Sequence, residues 1–251
     1  MIEILENFSG YIVNGIEAKN DGDITNYFVC KELIKKTVAL CIDIGADKGA
    51  WSETISELDP TRKIYLFEPN PISFQALPKK NPNHTAFPYA ISDCSGLVPF
   101  ELDGPQSFIK PSGVPSIEAR TLDSFVGDEP LGLVKIDTEG HDLKIMESMM
   151  PMFEKGQVHS VISEFTPRWY GTSYESCYEN SLDHVKKMNR HFPYMYALSR
   201  NGAPYLVDPL LALEEFIEDH TARRFQTDLL FTKEPITSLP VVPFEVGKWY
   251  A

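Results

Sequence analysis

The stretch ALCIDIGADKGAWSE, residues 39–53, decides the reading of this chain. Residues 39–44 are apolar apart from Asp43, and a short run apolar on both faces marks a central strand of a parallel sheet. Gly45 and Gly49 then frame Ala46, Asp47 and Lys48, and a helical segment follows. Glycines between a strand and a helix leave bare backbone beside the free N–H groups of the helix start. The stretch therefore predicts a strand, a tight turn and a helix, with a ligand at the turn.

The same alternation continues outward. RKIYLFEPN (62–70) reads as the next strand, ended by Glu68, Pro69 and Pro71, and ISFQALPKK (72–80) as a short helix. HTAFPYAIS (84–92) reads as a third strand, DCSG (93–96) as a turn and LVPFEL (97–102) as a strand. Residues 103–120 hold several Pro, Gly and Ser and read as a long loop, a feature that is usually functional. LGLVKIDTEG (131–140) and VHSVISEFTP (158–167) are the fourth and fifth core strands, separated by the helical HDLKIMESMM (141–150). SLDHVKKMNRHF, YMYALSR, LLALEEFIEDH and FQTDLLFTK then read as helix, strand, helix and strand. Before all of these, DITNYFVCKELIKK (23–36) has near-helical apolar spacing.

This order predicts an α/β fold: a doubly wound, mostly parallel seven-stranded sheet with helices on both faces, preceded by a helical cap segment. The expected division is residues 1–37 as cap, 38–233 as the main domain and 234–251 as a proline-rich tail. Trp249 in that tail is a candidate homodimer contact.

The 251 residues are 43% hydrophobic and carry a formal net charge of −13. Such a field repels nucleic acid, and neither LIKK nor TARRF forms a basic patch large enough to override it. The four cysteines, Cys30, Cys41, Cys94 and Cys177, form neither a disulfide framework nor a zinc ribbon, which fits reduced thiols in a cytoplasmic setting. MIEILENFSG carries acid where a signal peptide needs base, and no segment approaches the roughly 20 apolar residues that cross a membrane.

Ligands of doubly wound sheets collect at the carboxyl ends of the strands. Here those ends carry Asp43, Glu68, Ser92–Asp93, Asp137–Glu139 and Glu164. A nicotinamide turn reads G-x-G-x-x-G so that pyrophosphate can rest on backbone amides. Position 47 is Asp instead, and its carboxylate repels pyrophosphate. The turn suits a positively charged nucleoside without phosphates, such as S-adenosylmethionine. Asp43 is placed for its ammonium side, directly or through water, and Glu68 for both ribose hydroxyls.

CIDIGADKGAWS, IYLFEPNP, AISDCSGLVPFEL, RTLDSF, LVKIDTEGHDLKIMESM and VISEFTP, in this order, resemble the FkbM family of S-adenosylmethionine-dependent methyltransferases. The resemblance covers roughly residues 38–167, with K-I-D-x-E-G-H-D as its most specific block; Asp47 stands where asparagine is common. It implies a class I methyltransferase fold and methylation of hydroxyls on sugars, polyketides and other small molecules. The implied cofactor contacts are Asp43, Gly45, Ala46, Asp47, Gly49, Glu68, Pro69, Ser92, Asp93 and Asp137, with Asp93 near the adenine.

Alternation along LVKIDTEGH puts Lys135, Asp137 and Glu139 on one face. A buried lysine there needs a partner, and Asp137, Glu139 and Asp43 are the candidates. His141 follows at the start of the next helix. Methyl transfer to an alcohol needs alignment, water exclusion and a destination for the hydroxyl proton. The candidates for base or acceptor clamp are His141, Glu139, Asp137 and Glu164. The same four residues are also an alternative set of oxygen and imidazole ligands for a divalent metal. The expected function is methylation of a small hydroxylated acceptor, with a sugar or glycan as the best single choice. A non-catalytic S-adenosylmethionine-binding protein and a nicotinamide-dependent oxidoreductase are the rivals.

Overall fold

The strand read from residues 39–44 is an interior strand, third from one edge, of a nine-stranded sheet in the computed structural model, which describes residues 12–13, 16–17, 21–77, 81–199 and 205–247. In chain order, a short antiparallel pair, β1 (Ile12–Val13) and β2 (Ile16–Glu17), precedes α1 (Asp21–Lys36). Then come β3 (Leu40–Ile44), α2 (Ala50–Leu58), β4 (Ile64–Phe67), α3 (Pro71–Ala76) and β5 (His84–Phe87). The chain next builds β6 (Ala90–Ile91), β7 (Gly96–Glu101), β8 (Phe108–Ile109), β9 (Pro115–Arg120) and α4 (Asp123–Val126). It returns through β10 (Leu131–Ile136), α5 (Asp142–Ser148), α6 (Met150–Glu154) and β11 (Val158–Phe165). It ends with α7 (Tyr174–Met188), β12 (Tyr194–Leu198), β13 (Leu206–Asp208), α8 (Leu213–Arg223), β14 (Thr227–Thr232) and β15 (Val241–Pro243).

The main sheet has the order β15-β13-β12-β14-β11-β10-β3-β4-β5. Strands β5, β4, β3, β10 and β11 are parallel, and β14 lies antiparallel between β11 and β12. The chain leaves β3 toward β4 on one side and comes back to β10 on the other. The carboxyl ends of β3 and β10 therefore flank the switch point, where a crevice opens. Successive residues of β3 feed two cores on opposite faces. Leu40, Ile42 and Ile44 pack with Ile145, Met149 and Phe153, while Cys41 packs with Val29, Leu33 and Ile55.

The expected doubly wound α/β class is present, but the sheet is larger and more mixed than the seven strands expected. The additional strands, β13 and β15, are three residues each, and β15 is an exposed edge containing Pro243, so neither carries an alternating apolar pattern. The third expected strand is two. Pro88 has no N–H to continue a ladder, and beyond it Ala90–Ile91 pair with β9 instead of the main sheet. The expected loop 103–120 contains β8 and β9, which complete a second sheet of order β6-β9-β7-β8.

Helix α1 is pinned to the main sheet by Arg62, whose buried guanidinium donates to Ile34 O at 2.6 Å, Thr37 O at 2.6 Å and Ala39 O at 3.0 Å. Glu32 of α1 accepts from the amides of Thr237 and Ser238, at 2.9 and 2.8 Å, so the tail segment lies against it. Phe244 packs edge-on against Phe216 with ring centres 5.2 Å apart. Residues 1–11 of the cap segment, together with Trp249 and Tyr250, lie outside the described residues. Among the described residues, no helix is long and apolar enough to cross a membrane.

Candidate active site

The turn after β3 is built on close backbone approach. The amides of Gly45 and Ala46 both donate to Phe67 O, at 3.0 and 3.1 Å, joining β3 to the end of β4. Gly45 has φ +78°, and a Cβ there would sit 1.8 Å from Asp137 O, so only glycine fits between β3 and β10. Asp47 also takes a left-handed conformation, φ +44°, which Asp and Asn tolerate better than other side chains. Its amide donates to Glu68 Oε2 at 2.7 Å, and its Oδ1 accepts from the Ser73 hydroxyl at 2.7 Å. Gly49 starts α2.

Glu68, at the end of β4, is buried and accepts the Asp47 amide on one oxygen and the Asn70 amide on the other, each at 2.7 Å. Burial outweighs these bonds, and with the nearby Asp47 and Asp43 it raises the Glu68 carboxyl to about 7. Asp43 is fully buried, with Lys135 Nζ 3.9 Å away and no hydrogen bond to its oxygens among the described residues. Burial raises it to about 6 despite the opposing lysine. Lys135 also meets Asp137 Oδ2 at 3.1 Å. Of its three expected partners, Asp137 and Asp43 are engaged and Glu139 is not.

Residues 138–141 form a second built turn. Asp142, buried in the first turn of α5, accepts from the Thr138 amide at 3.3 Å, the Thr138 hydroxyl at 3.1 Å and the Gly140 amide at 3.3 Å. Gly140 has φ +99°, and the Trp169 ring lies 3.1 Å from where its Cβ would be. Glu139 is held at φ +55°. Burial and then Asp137 raise its carboxyl, and among the described residues it has no hydrogen-bond or ion-pair partner. The His141 ring Nε2 is 2.9 Å from Ser92 Oγ, which donates to Asp93 Oδ1 at 2.9 Å. With its hydrogen committed to Asp93, the serine oxygen accepts from Nε2–H, which assigns the tautomer. Burial and then Lys144 lower His141 to about 4, so the imidazole is neutral at pH 7. Against its own burial, Asp93 is held low by the Ser92 hydroxyl and by Lys144. Glu164 is buried at the end of β11, where its Oε1 accepts from Gln226 Nε2 and from the Thr166 hydroxyl at 3.3 Å. Burial, then Asp137, Asp142 and Glu139, raise it to about 9.

These turns frame a cleft of about 850 Å³, measured out to open solvent. One side carries Gly45, Asp47, Glu68, Pro69, Asp137, Glu139 and His141. The other is a wall from the second sheet and its connecting turn: Phe100, Gly104, Ser107, Phe108 and Ile109. Asp43, Ala46, Gly49, Ser92 and Glu164 are buried and do not line it, and Asp93 is exposed and does not line it either. Ser92 touches the lining residue His141, and Asp93 accepts from Ser92. Among the described residues, no three or more His, Cys, Asp or Glu side chains are arranged to hold a metal ion. The set Asp137, Glu139, His141 and Glu164 thus does not converge, with His141 turned to Ser92 and Glu164 to Gln226.

Sequence reasoning missed most of the wall, Asn70 and Ser73, and it gave Asp142 no role. The final Asp of the K-I-D-x-E-G-H-D block was the available signal for Asp142.

Residues 43–201, more than half of the chain, match the Methyltransferase FkbM domain family. The chain belongs to the FkbM methyltransferases. The matched segment carries that domain on the doubly wound α/β sheet described above. Among solved structures, the FkbM methyltransferase from Methylobacillus flagellatus KT is 15% identical, with a TM-score of 0.48 over 77% of this chain and 43% of that one. The chain spans less than half the length of that protein. A precorrin-6y C5,15-methyltransferase from Geobacter metallireducens GS-15 is 12% identical over 83% of this chain and 87% of that one, TM-score 0.40. The plantazolicin methyltransferase BpumL, solved with S-adenosylhomocysteine, is 11% identical over 85% and 84%, TM-score 0.39. No curated protein matches the chain. At these identities and scores the family assignment rests on the match over residues 43–201.

Proposed function

We propose that this FkbM methyltransferase methylates a hydroxyl of a small acceptor, with a sugar or glycan as the leading class. The supporting observation is the composition of the cleft. Among the described residues, its lining has four carboxylates, on Asp47, Glu68, Asp137 and Glu139, and no lysine or arginine. That lining suits a cationic nucleoside and disfavours a phosphate-bearing one. The glycine turn leaves one edge of the cleft free of side chains. S-adenosylmethionine, when bound, supplies an electrophilic methyl group.

The remaining chemistry belongs to the chain. Glu68 has lone pairs left to accept from ribose hydroxyls, and Asp47 and Pro69 shape the adjoining surface. The Lys135–Asp137 pair fixes the floor. Phe100, Phe108 and Ile109 exclude water and offer an apolar face to a sugar ring. Alignment contributes most, on the order of 7–11 kcal/mol, and a positioned base adds about 10²–10⁴-fold. Glu139 is the best-placed base, because it faces the cleft without a partner and its basicity is raised. His141 has its Nε2–H committed to Ser92 and is a weak base. Glu164 carries a proton at pH 7 and takes no other.

The test is methyl transfer from labelled S-adenosylmethionine to a panel of free and carrier-linked sugars, alongside calorimetric titration with S-adenosylhomocysteine. Cofactor binding with transfer only to amines or carbon acids would overturn the hydroxyl assignment.

A further inference from the structure

The geometry points to Asn70 as a positioning residue that couples occupancy of the cofactor side of the cleft to the wall facing it. This inference rests on the reading of Glu68 as the ribose carboxylate.

Asn70 is buried and uses every polar group it has. Its amide donates to Glu68 Oε1 at 2.7 Å, and its side-chain Oδ1 accepts the Ile72 amide at 2.9 Å, capping α3. Its Nδ2 donates to Gly104 O at 3.2 Å and Ser107 Oγ at 3.1 Å. Ser107 Oγ in turn donates to Gly104 O at 2.7 Å and accepts the Asp103 amide at 3.0 Å, so the 103–107 turn is one bonded unit hung on Asn70.

Among the described residues, both hydrogen bonds that join residues 103–109 to the main-sheet side come from this single Nδ2. The rest of the wall's bonding is internal to the second sheet: Phe100 faces Ile109 across β7–β8, and the Lys110 amide donates to Pro99 O at 2.9 Å. Gly104, Ser107, Phe108 and Ile109 line the same cleft as Glu68. A ligand that fixes the Glu68 carboxylate fixes the Asn70 backbone, and with it the direction of Nδ2. The wall is then set in place when the cofactor is bound and loosened when the cofactor leaves, which gives an order to acceptor entry.

Hydrogen exchange of the full chain, with and without saturating S-adenosylhomocysteine, tests this. In the native protein the ligand slows exchange of the 103–109 amides by about tenfold or more, the scale of two neutral hydrogen bonds. Asn70→Ser keeps a side chain able to cap α3 and cannot reach Gly104. It still binds S-adenosylhomocysteine, but the ligand-dependent slowing at 103–109 is lost while that of residues 45–49 remains. Ser107→Ala, at a half-buried position, retains the fold and reduces the same increment severalfold. The inference fails if the ligand binds and the wall responds equally in Asn70→Ser, or does not respond in the native protein. Absence of any binding to the native protein instead removes the cofactor reading, and the inference with it.

Discussion

The Asp47 amide donates to Glu68 Oε2 at 2.7 Å, so a single carboxylate ties the turn after β3 to the end of β4. Glu68→Gln leaves one carbonyl oxygen where two backbone N–H groups now bond, and presents an amide donor to one of them. Losing charge-assisted bonds of about 1.5–3 kcal/mol weakens S-adenosylhomocysteine binding on the order of 10- to 100-fold. Calorimetry at pH 8 reads this directly. Unchanged affinity would remove Glu68 from the cofactor site.

Glu139→Gln separates proton acceptance from binding. With a methylated acceptor in hand, kcat/KM falls about 10²–10⁴-fold while cofactor affinity stays within a few-fold. Activity of the native enzyme climbs with pH as the raised Glu139 carboxyl ionises. That acid limb is absent from the variant; its survival there would move the base elsewhere.

Gly45→Ala tests the contact between β3 and β10. The added methyl meets Asp137 O at 1.8 Å from a left-handed backbone, so the strand ends must part. A loss of about 3–5 kcal/mol is expected, at the severe end for point substitutions. Urea unfolding measures it, and Gly127→Ala is the control. Gly127 also has positive φ, +53°, but open space around its Cβ position, so its cost is strain alone.

Stability of the ligand-free protein should fall between pH 6.5 and 9. The carboxyls of Asp43, Glu68, Asp142 and Glu164 are raised by burial to about 6, 7, 7 and 9. Their protonated forms favour the folded state, and that contribution is lost as pH rises through each folded value. Buried His141, His184 and His220, lowered to about 4, 3 and 4, act oppositely. The stability that depends on their neutral form is complete above about 6.5 and is lost as pH drops toward those values. Above 6.5 only the carboxyls remain to titrate. Scanning Tm across this range shows the decline, and Glu164→Gln flattens its upper half.

The central strands and the glycine turn were legible because few local structures call for burial on both faces followed by paired glycines. The acids of Asp137–Glu139 and Glu68 were legible because each follows an apolar run at a strand end. The wall was not. Only LVPFEL of it read as a strand; β8 has two residues and β9 opens on Pro115, so residues 103–120 read as loop. Nor does strand-end position reveal depth. Asp43 and Glu164 end strands like Glu68 does, yet β-sheet neighbours bury them behind the cleft surface.

Helix α1 is gripped by Glu32 bonds to Thr237 and Ser238, partners about two hundred positions later in the chain. On the ribosome, residues 21–36 emerge long before the segment that sheaths them. Val29, Leu33 and Ile34 thus have their early core companions, Cys41, Ile55, Ile64 and Leu66, well before Ile236 and Leu239 arrive to complete the cluster.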